Sequence, residues 1–179
     1  TFYVAETALL EAQKSLMDQM IGPINRDSGF RDYTARSVPI NQVDAVDGTR
    51  LDSNLTPCVR SFKNIDSSAG SDFRVVEYVR DQSFWNIIGP IIENDQVGGI
   101  LGSDEEILRE RTKLQTFRFE YLSTLVGTET YSGSGTSLKK SATNAQRRGA
   151  AYRLYGCGIM GSVDRPQILV PLETIVILA

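Results

Sequence analysis

The sequence contains no histidine, the side chain that proteins use most often as a general base near neutral pH. Histidine is also the commonest metal ligand and a usual member of nucleophilic triads. Without it, the two cysteines of the chain cannot complete a structural zinc site. We therefore expect no metal and no cofactor, and the composition favours a non-enzymatic protein.

Long apolar runs and a basic charge balance are also missing. No stretch approaches the roughly 18 consecutive apolar residues of a membrane-spanning helix. The formal net charge of -3 argues against nucleic acid as the main partner, because phosphate binding needs a basic surface. A hydrophobic content of 41% in 179 residues is enough for a single domain, 1–179, with a buried core.

Residues 1–21 have the pattern of an amphipathic helix. Apolar residues recur at steps of three or four and mark one face: Phe2, Ala5, Leu9, Ala12, Leu16 and Met20. Gly22 followed by Pro23 is a helix stop signal. No capping box marks the start, so we expect that an upstream part of the same helix has been removed.

The segment 22–65 is predicted to be a long connecting loop, with a short extended piece at 37–46. Turn signals recur in it, and it carries Cys58. Three aspartates resemble the composition of a calcium loop: Asp44, Asp47 and Asp52. The EF-hand spacing and its closing glutamate are missing, so a solvated loop is the favoured interpretation.

The middle region, 66–113, is predicted to be mixed. Alternating β-branched and aromatic residues predict a strand at 73–79. Ser83 is a candidate N-cap for a short helix at 84–92 that Gly89 and Pro90 interrupt. Ser103 with Glu106 predicts a further helix at 104–113. Trp85 is interpreted as a core aromatic in preference to an exposed anchor for a partner.

The C-terminal region, 114–179, is predicted to form an antiparallel sheet. Strand patterns occupy 117–126, 152–160 and 167–178, and Pro171 favours an edge position for the last strand. The glycine- and serine-rich 131–137 is interpreted as a hairpin loop and not as a phosphate-binding loop, because a strand pattern follows it. The basic residues nearby are interpreted as solvated: Lys139, Lys140, Arg147 and Arg148.

These elements predict an α+β fold, in which the long N-terminal helix packs its apolar stripe on the C-terminal antiparallel sheet. A long helix-to-strand loop and short extra helices lie between them. A competing functional class is a histidine-free enzyme or small-ligand binder that uses the loop aspartates or the carboxylates of Glu105, Glu106, Glu110 and Glu120. A cytosolic or viral structural subunit is a third possibility.

The two cysteines permit two interpretations. Cys58 and Cys157 lie far apart in sequence, so one disulfide would tie the early loop to a late strand. Two buried reduced thiols in a cytosolic protein are the alternative. The residues alone do not decide between them.

Both ends of the chain resemble the type IV pilin-like proteins. FYVAETALLEAQ resembles the helix that follows their membrane-inserted half-helix, with matching residues Ala5, Glu6, Ala8, Leu9, Glu11 and Ala12. AYRLYGCGIMG and VPLETIVIL resemble their terminal strands, with matches at Tyr152, Arg153, Leu154, Gly156 and Gly158. The middle, about 25 to 112, is not part of the resemblance.

The resemblance implies a minor pilin of the PilX type, a structural subunit in the assembly or priming of type IV pili. The alternative within this class is a minor pseudopilin of a type II secretion system. Implied partners are other minor pilins, the major pilin and a PilC/PilY-type tip adhesin. The implied location is the bacterial inner membrane, periplasm and pilus fibre, with membrane contact only through an upstream helix.

The resemblance also implies roles for particular residues. The start of the helix would pack against neighbouring subunits through Phe2, Tyr3, Val4, Ala5 and Leu9, while the loops 25–65 and 127–150 would form the subunit-specific surface. A periplasmic location favours the disulfide Cys58–Cys157 over reduced thiols.

Overall fold

The structure is a computed structural model that describes residues 1–37, 55–63, 65, 75–94, 104–131 and 147–178, with only the backbone described at 93–94, 128–131 and 147–148. The elements in chain order are α1 (Phe2–Ile21), a 3-10 turn (Tyr33–Ala35), α2 (Pro57–Arg60), β1 (Glu77–Ser83), α3 (Trp85–Asn94), α4 (Asp104–Leu114), β2 (Phe117–Tyr131), β3 (Arg147–Gly161) and β4 (Pro166–Leu178). Among the described residues, no helix is both long enough and apolar enough to cross a membrane.

The four strands form one antiparallel sheet in the order β1-β2-β3-β4. The predicted α+β class and the C-terminal meander are therefore confirmed, although β2 continues to Tyr131 and β3 begins at Arg147, inside the predicted loop 127–150. Within the described part of the chain, β4 pairs only with β3, so Pro171 lies on an edge strand as predicted. Proline has no backbone N–H to donate to a neighbouring strand, and an edge strand tolerates this because only one of its sides is hydrogen-bonded.

Each face of the sheet carries its own hydrophobic core. On one face, α1 packs against side chains of β2 and β3, and the buried members are Val4, Ala8, Ala12, Leu16, Phe119, Tyr121, Tyr152 and Leu154. On the other face, the segment around α2 covers a second cluster: Leu55, Cys58, Val59, Phe62, Ile65, Val75, Leu122, Tyr155, Cys157, Ile159 and Val163. The predicted packing of the helix stripe on the sheet is confirmed except at Phe2, which is 51% exposed and does not belong to this cluster.

Helix α1 ends where the sequence predicts. Gly22 has φ +94°, and a Cβ atom at that position would lie 1.9 Å from the Asp32 carbonyl oxygen. Only glycine fits both the backbone angle and the close approach. Arg31 stabilises this end of the helix, because its Nη1 donates to the Gly22 carbonyl at 2.6 Å and to Asp18 Oδ1 at 3.0 Å.

Two predictions for the middle region are wrong in detail. The strand predicted at 73–79 is β1, which begins four residues later at Glu77 and contains a bulge between Val79 and Gln82. Helix α3 runs through Gly89 and Pro90 without interruption. The Trp85 indole packs against Gly89 one helical turn later. A Cβ atom at position 89 would lie only 2.5 Å from the indole ring, so a glycine is needed there.

Ser83 does not cap α3. It is the last residue of β1, and its buried hydroxyl has no hydrogen-bond partner among the described residues. Helix α4 begins and ends within a residue of its prediction. The predicted extended piece, apart from Ser37, the three loop aspartates, Ser103 and the segment 132–146 lie outside the described residues.

Candidate functional site

Helix α1 has two different faces. The face toward the sheet carries Val4, Leu16 and three small residues that are wholly buried: Ala5, Ala8 and Ala12. Two glycines of β3 lie directly beneath it. A Cβ atom at Gly158 would lie 2.1 Å from the Thr1 carbonyl oxygen, and one at Gly156 would lie 3.1 Å from the Ala8 Cβ. The helix backbone therefore rests almost directly on the strand, and this contact fixes its position.

The opposite face of α1 exposes large apolar side chains. Tyr3 is 77% exposed, Leu10 63% and Phe2 51%. Tyr3 and Leu10 are seven residues apart, so they lie on the same side of the helix. Thr7 lies between them and donates its hydroxyl to the Tyr3 carbonyl, which removes that hydroxyl from the surface as a free donor. We call Tyr3 and Leu10, together with Phe2, whose ring contacts that of Tyr3 edge to face with the ring centres 6.1 Å apart, the outer face of α1.

The residues that the resemblance assigned to subunit packing divide between these two faces. Phe2 and Tyr3 are exposed, whereas Val4 and Ala5 are buried against the chain's own sheet at 4% and 0% exposure. Leu9 is partly buried and packs against the same core. Val4 and Ala5 therefore have no surface to offer a second subunit. Leu10, which is not among these residues, is 63% exposed and lies seven residues from Tyr3.

The disulfide is present between Cys58 and Cys157. The two sulfur atoms are 2.07 Å apart, the Cα atoms are 5.8 Å apart, and 99 residues separate the cysteines in sequence. Both side chains are buried. The bond joins α2 to the centre of β3, so it fixes the segment 55–63 on the sheet face that α1 does not cover.

Glu120 lies wholly inside the protein, on β2 and directly opposite Cys157 of β3. Its Oε2 accepts a hydrogen bond of 2.7 Å from the hydroxyl of Thr56, the residue that caps α2. Its Oε1 lies 3.7 Å from the Arg80 Nε and has no hydrogen-bond partner among the described residues. Burial raises the pKa of Glu120, and the Thr56 hydrogen bond and the Arg80 charge only partly oppose this effect.

The bulge in β1 positions charged groups around Glu120. Asp81 has φ +57°, which is unusual for a residue other than glycine. Its carboxylate pairs with Arg118, whose Nη2 also donates to the Asp81 carbonyl at 3.0 Å. Arg80 turns toward the sheet face and pairs with Asp164 at 3.1 Å. The charge of Arg80 is therefore shared between Asp164 and Glu120.

Of the carboxylates considered as an acid–base pair, Glu120 lies apart from those of α4. Glu105 pairs with Arg109 and Glu110 with Lys113, each at 2.6 Å on the surface of α4. Glu120 is on another element and has no access to solvent. Trp85 is 7% exposed, as the core interpretation predicts, with the Arg111 guanidinium 5.8 Å from the ring centre.

One groove borders α1 and the turn that follows it. Its volume is about 330 Å³, it is open to solvent, and its lining is polar and apolar in about equal parts, with polar side chains from Glu11, Lys14, Ser15, Asp18, Gln19 and Tyr121. In the part of the chain that the structure describes, no group of three or more cysteine or carboxylate side chains could hold a metal ion.

Comparisons with protein-family models, with curated proteins and with solved structures return no match for this chain. The candidate site is therefore defined by geometry alone, as the outer face of α1 on a disulfide-linked scaffold.

Proposed function

We propose that the protein is a pilin-like structural subunit, a minor pilin that takes part in the assembly or priming of type IV pili. It acts by packing against other subunits and not by catalysis. The proposed partners are other minor pilins, the major pilin and a PilC/PilY-type tip adhesin. The proposed location is the bacterial inner membrane and periplasm and the pilus fibre, reached through an apolar helix that continues α1 upstream.

The observation that carries this proposal is the pair of opposed faces on α1. The inner face packs closely on Gly156 and Gly158, while the outer face presents Tyr3 and Leu10 to the surroundings. Single exposed apolar residues are ordinary, but large ones aligned along one side of a helix favour a contact with another protein. Aromatic side chains such as Tyr3 contribute strongly at such contacts.

The disulfide supports the proposed location. Disulfides persist in oxidising compartments such as the periplasm and are rare in the bacterial cytoplasm. A buried disulfide that closes a loop of 99 residues also suits a subunit that must keep its shape outside the cytoplasm.

A matched pair of substitutions tests the proposal. Leu10 and Leu108 are both leucines in helices, 63% and 60% exposed, but only Leu10 lies on the outer face of α1. A deletion strain of the source organism would be complemented with wild type, Leu10→Arg or Leu108→Arg. We expect Leu10→Arg alone to reduce surface pili, twitching motility and recovery of the protein in the sheared pilus fraction.

Equal pilus assembly with both variants, or normal piliation in the deletion strain, would contradict the proposal. A deletion that leaves pili intact but abolishes protein secretion would instead assign the chain to a type II pseudopilus. Thermal unfolding of the purified variants controls for folding, because an exposed substitution changes stability by about 0.5 kcal/mol or less.

A further inference from the structure

The segment 55–63 is attached to the sheet at two neighbouring points. One is the covalent bond from Cys58 to Cys157. The other is the hydrogen bond from Thr56 to Glu120, and Glu120 is the direct cross-strand neighbour of Cys157. Opposite residues in an antiparallel pair have Cβ atoms about 5 Å apart, so the two attachments act on the same small area.

Few groups stabilise the ionised form of Glu120. Its Oε1 has no hydrogen-bond partner among the described residues, and the nearest cation approaches only to 3.7 Å. That cation, Arg80, is closer to Asp164 at 3.1 Å. Asp164 and Asp81 add negative charge nearby, and Tyr78 faces the same site through Thr56, with a hydroxyl-to-hydroxyl distance of 3.3 Å. An ionised oxygen in this position needs water, which the closed structure excludes.

We propose that Glu120 and the Cys58–Cys157 disulfide form a proton-linked latch, in which uncharged Glu120 keeps the segment 55–63 closed over the disulfide and ionised Glu120 opens it. The atoms that cover the carboxyl group belong partly to this segment, through Thr56 at 2% exposure. Lifting the segment hydrates the anion and uncovers the two sulfur atoms. The latch requires no partner and does not depend on the proposed role in pili.

The sign of the pH dependence follows from the burial. Because the pKa of Glu120 is raised in the closed protein, the carboxyl group binds a proton more tightly when closed than when open. Opening is therefore coupled to proton release and increases with pH. Between the pKa of the open form and that of the closed form, the open fraction rises by about tenfold for each pH unit.

The rate of disulfide reduction measures this opening. A water-soluble phosphine attacks one sulfur atom and breaks the S–S bond. Water then converts the phosphorus to the phosphine oxide, and the two electrons from phosphorus and two protons yield two thiols. The rate would be followed by alkylation and mass spectrometry of the native protein between about pH 4.5 and pH 8, a range that begins near the ordinary glutamate pKa.

Glu120→Gln is the informative variant, because glutamine keeps the shape of the side chain and cannot ionise. We expect the ratio of the wild-type rate to the Glu120→Gln rate to rise with pH, by up to about tenfold per unit, and then to level off. Any change in the reactivity of the phosphine with pH affects both proteins equally, so it cancels in this ratio. Glu105→Gln, an exposed glutamate on α4 with 74% side-chain exposure, should behave like wild type. A ratio that stays constant across the range would overturn the latch.

Hydrogen exchange of the wild-type protein provides a test that does not need a stable variant. Protection of the amides in 55–63 should fall with rising pH relative to the β3 amides near Ile159, after correction for intrinsic exchange rates. Unchanged relative protection would mean that Arg80 neutralises Glu120 in place, and the latch would be refuted.

Discussion

Replacing Gly158 with alanine should destabilise the contact between α1 and the sheet far more than the same change at Gly156. A Cβ atom at Gly158 would lie 2.1 Å from the Thr1 carbonyl oxygen and 2.7 Å from the Ala5 nitrogen. Since Cβ atoms do not approach other heavy atoms below 3.0 Å, the start of the helix must move by about 0.9 Å. Both obstacles are backbone atoms, so no rotamer change relieves the clash.

Overpacking of a core costs about 1–3 kcal/mol, and occasionally more. We expect Gly158→Ala to reach about 3 kcal/mol, because the whole first turn of α1 must shift. At Gly156 the obstacles are the Ala8 Cβ and the Leu9 side chain at 3.1 Å, and Leu9 is free to adjust. Replacing a glycine also reduces the entropy of the unfolded chain by about 0.4–1 kcal/mol, so Gly156→Ala should cost about 1 kcal/mol or less.

Urea unfolding followed by far-ultraviolet circular dichroism, with the disulfide intact in every variant, would measure both free energies of unfolding. A cost of Gly158→Ala no larger than that of Gly156→Ala would refute the close packing of α1 on β3. An unchanged transition midpoint for Gly158→Ala would refute it even more directly.

Three further outcomes are expected. Replacing Cys58 and Cys157 together by alanine should lower the free energy of unfolding by about 4.7 kcal/mol, the chain-entropy value for a loop of about 100 residues; a urea-unfolding difference below about 1 kcal/mol would contradict this. Because the pKa of Glu120 is raised, wild-type stability should fall, relative to Glu120→Gln, as pH rises above the ordinary glutamate range. Parallel pH profiles of thermal unfolding would argue against it. Gly89→Ala should displace the indole of Trp85, the only tryptophan, shift its fluorescence to longer wavelength and cost about 1–3 kcal/mol. Unchanged emission would show that the helix absorbs the extra methyl group.

The regular elements at the two ends of the chain could be predicted because their burial is simple. Helix α1 buries one stripe of side chains. It ends at the cap residue Gly22, whose positive φ angle is a local property that the sequence signals directly. Strands β2 to β4 alternate or run as apolar segments, and their pairing follows chain order. In such segments the apolar residues recur with the period of the helix or strand because one side of the element faces the core, so the sequence pattern reports the structure.

The middle region was less predictable because tertiary contacts override local preference there. The bulge at Asp81 lets β1 continue to Ser83 through residues that do not alternate. In α3, the packing of Trp85 on Gly89 supports a helix that contains Pro90, at the loss of one backbone donor. Neither contact leaves a periodic signal.

The features of the candidate site also differ in how far the sequence predicts them. The residues alone leave the state of the two cysteines open, and only the resemblance favours the disulfide. Proximity in sequence groups Glu120 with the glutamates of α4, whereas the structure separates it from them and buries it beside the disulfide. Its contact with Thr56 spans 64 residues, and no local pattern reports a contact of that range.

Photo-crosslinking from Tyr3 in intact cells tests the proposed subunit contact most directly. A photoreactive amino acid would replace Tyr3 on the outer face of α1 or, as a control, Leu108 on α4, in the full-length protein of the source organism. We predict that Tyr3, and not Leu108, yields crosslinks to a pilin or minor pilin identified by mass spectrometry. Crosslinks only to unrelated proteins, or equal yields from the two positions, would contradict the proposal that α1 joins subunits.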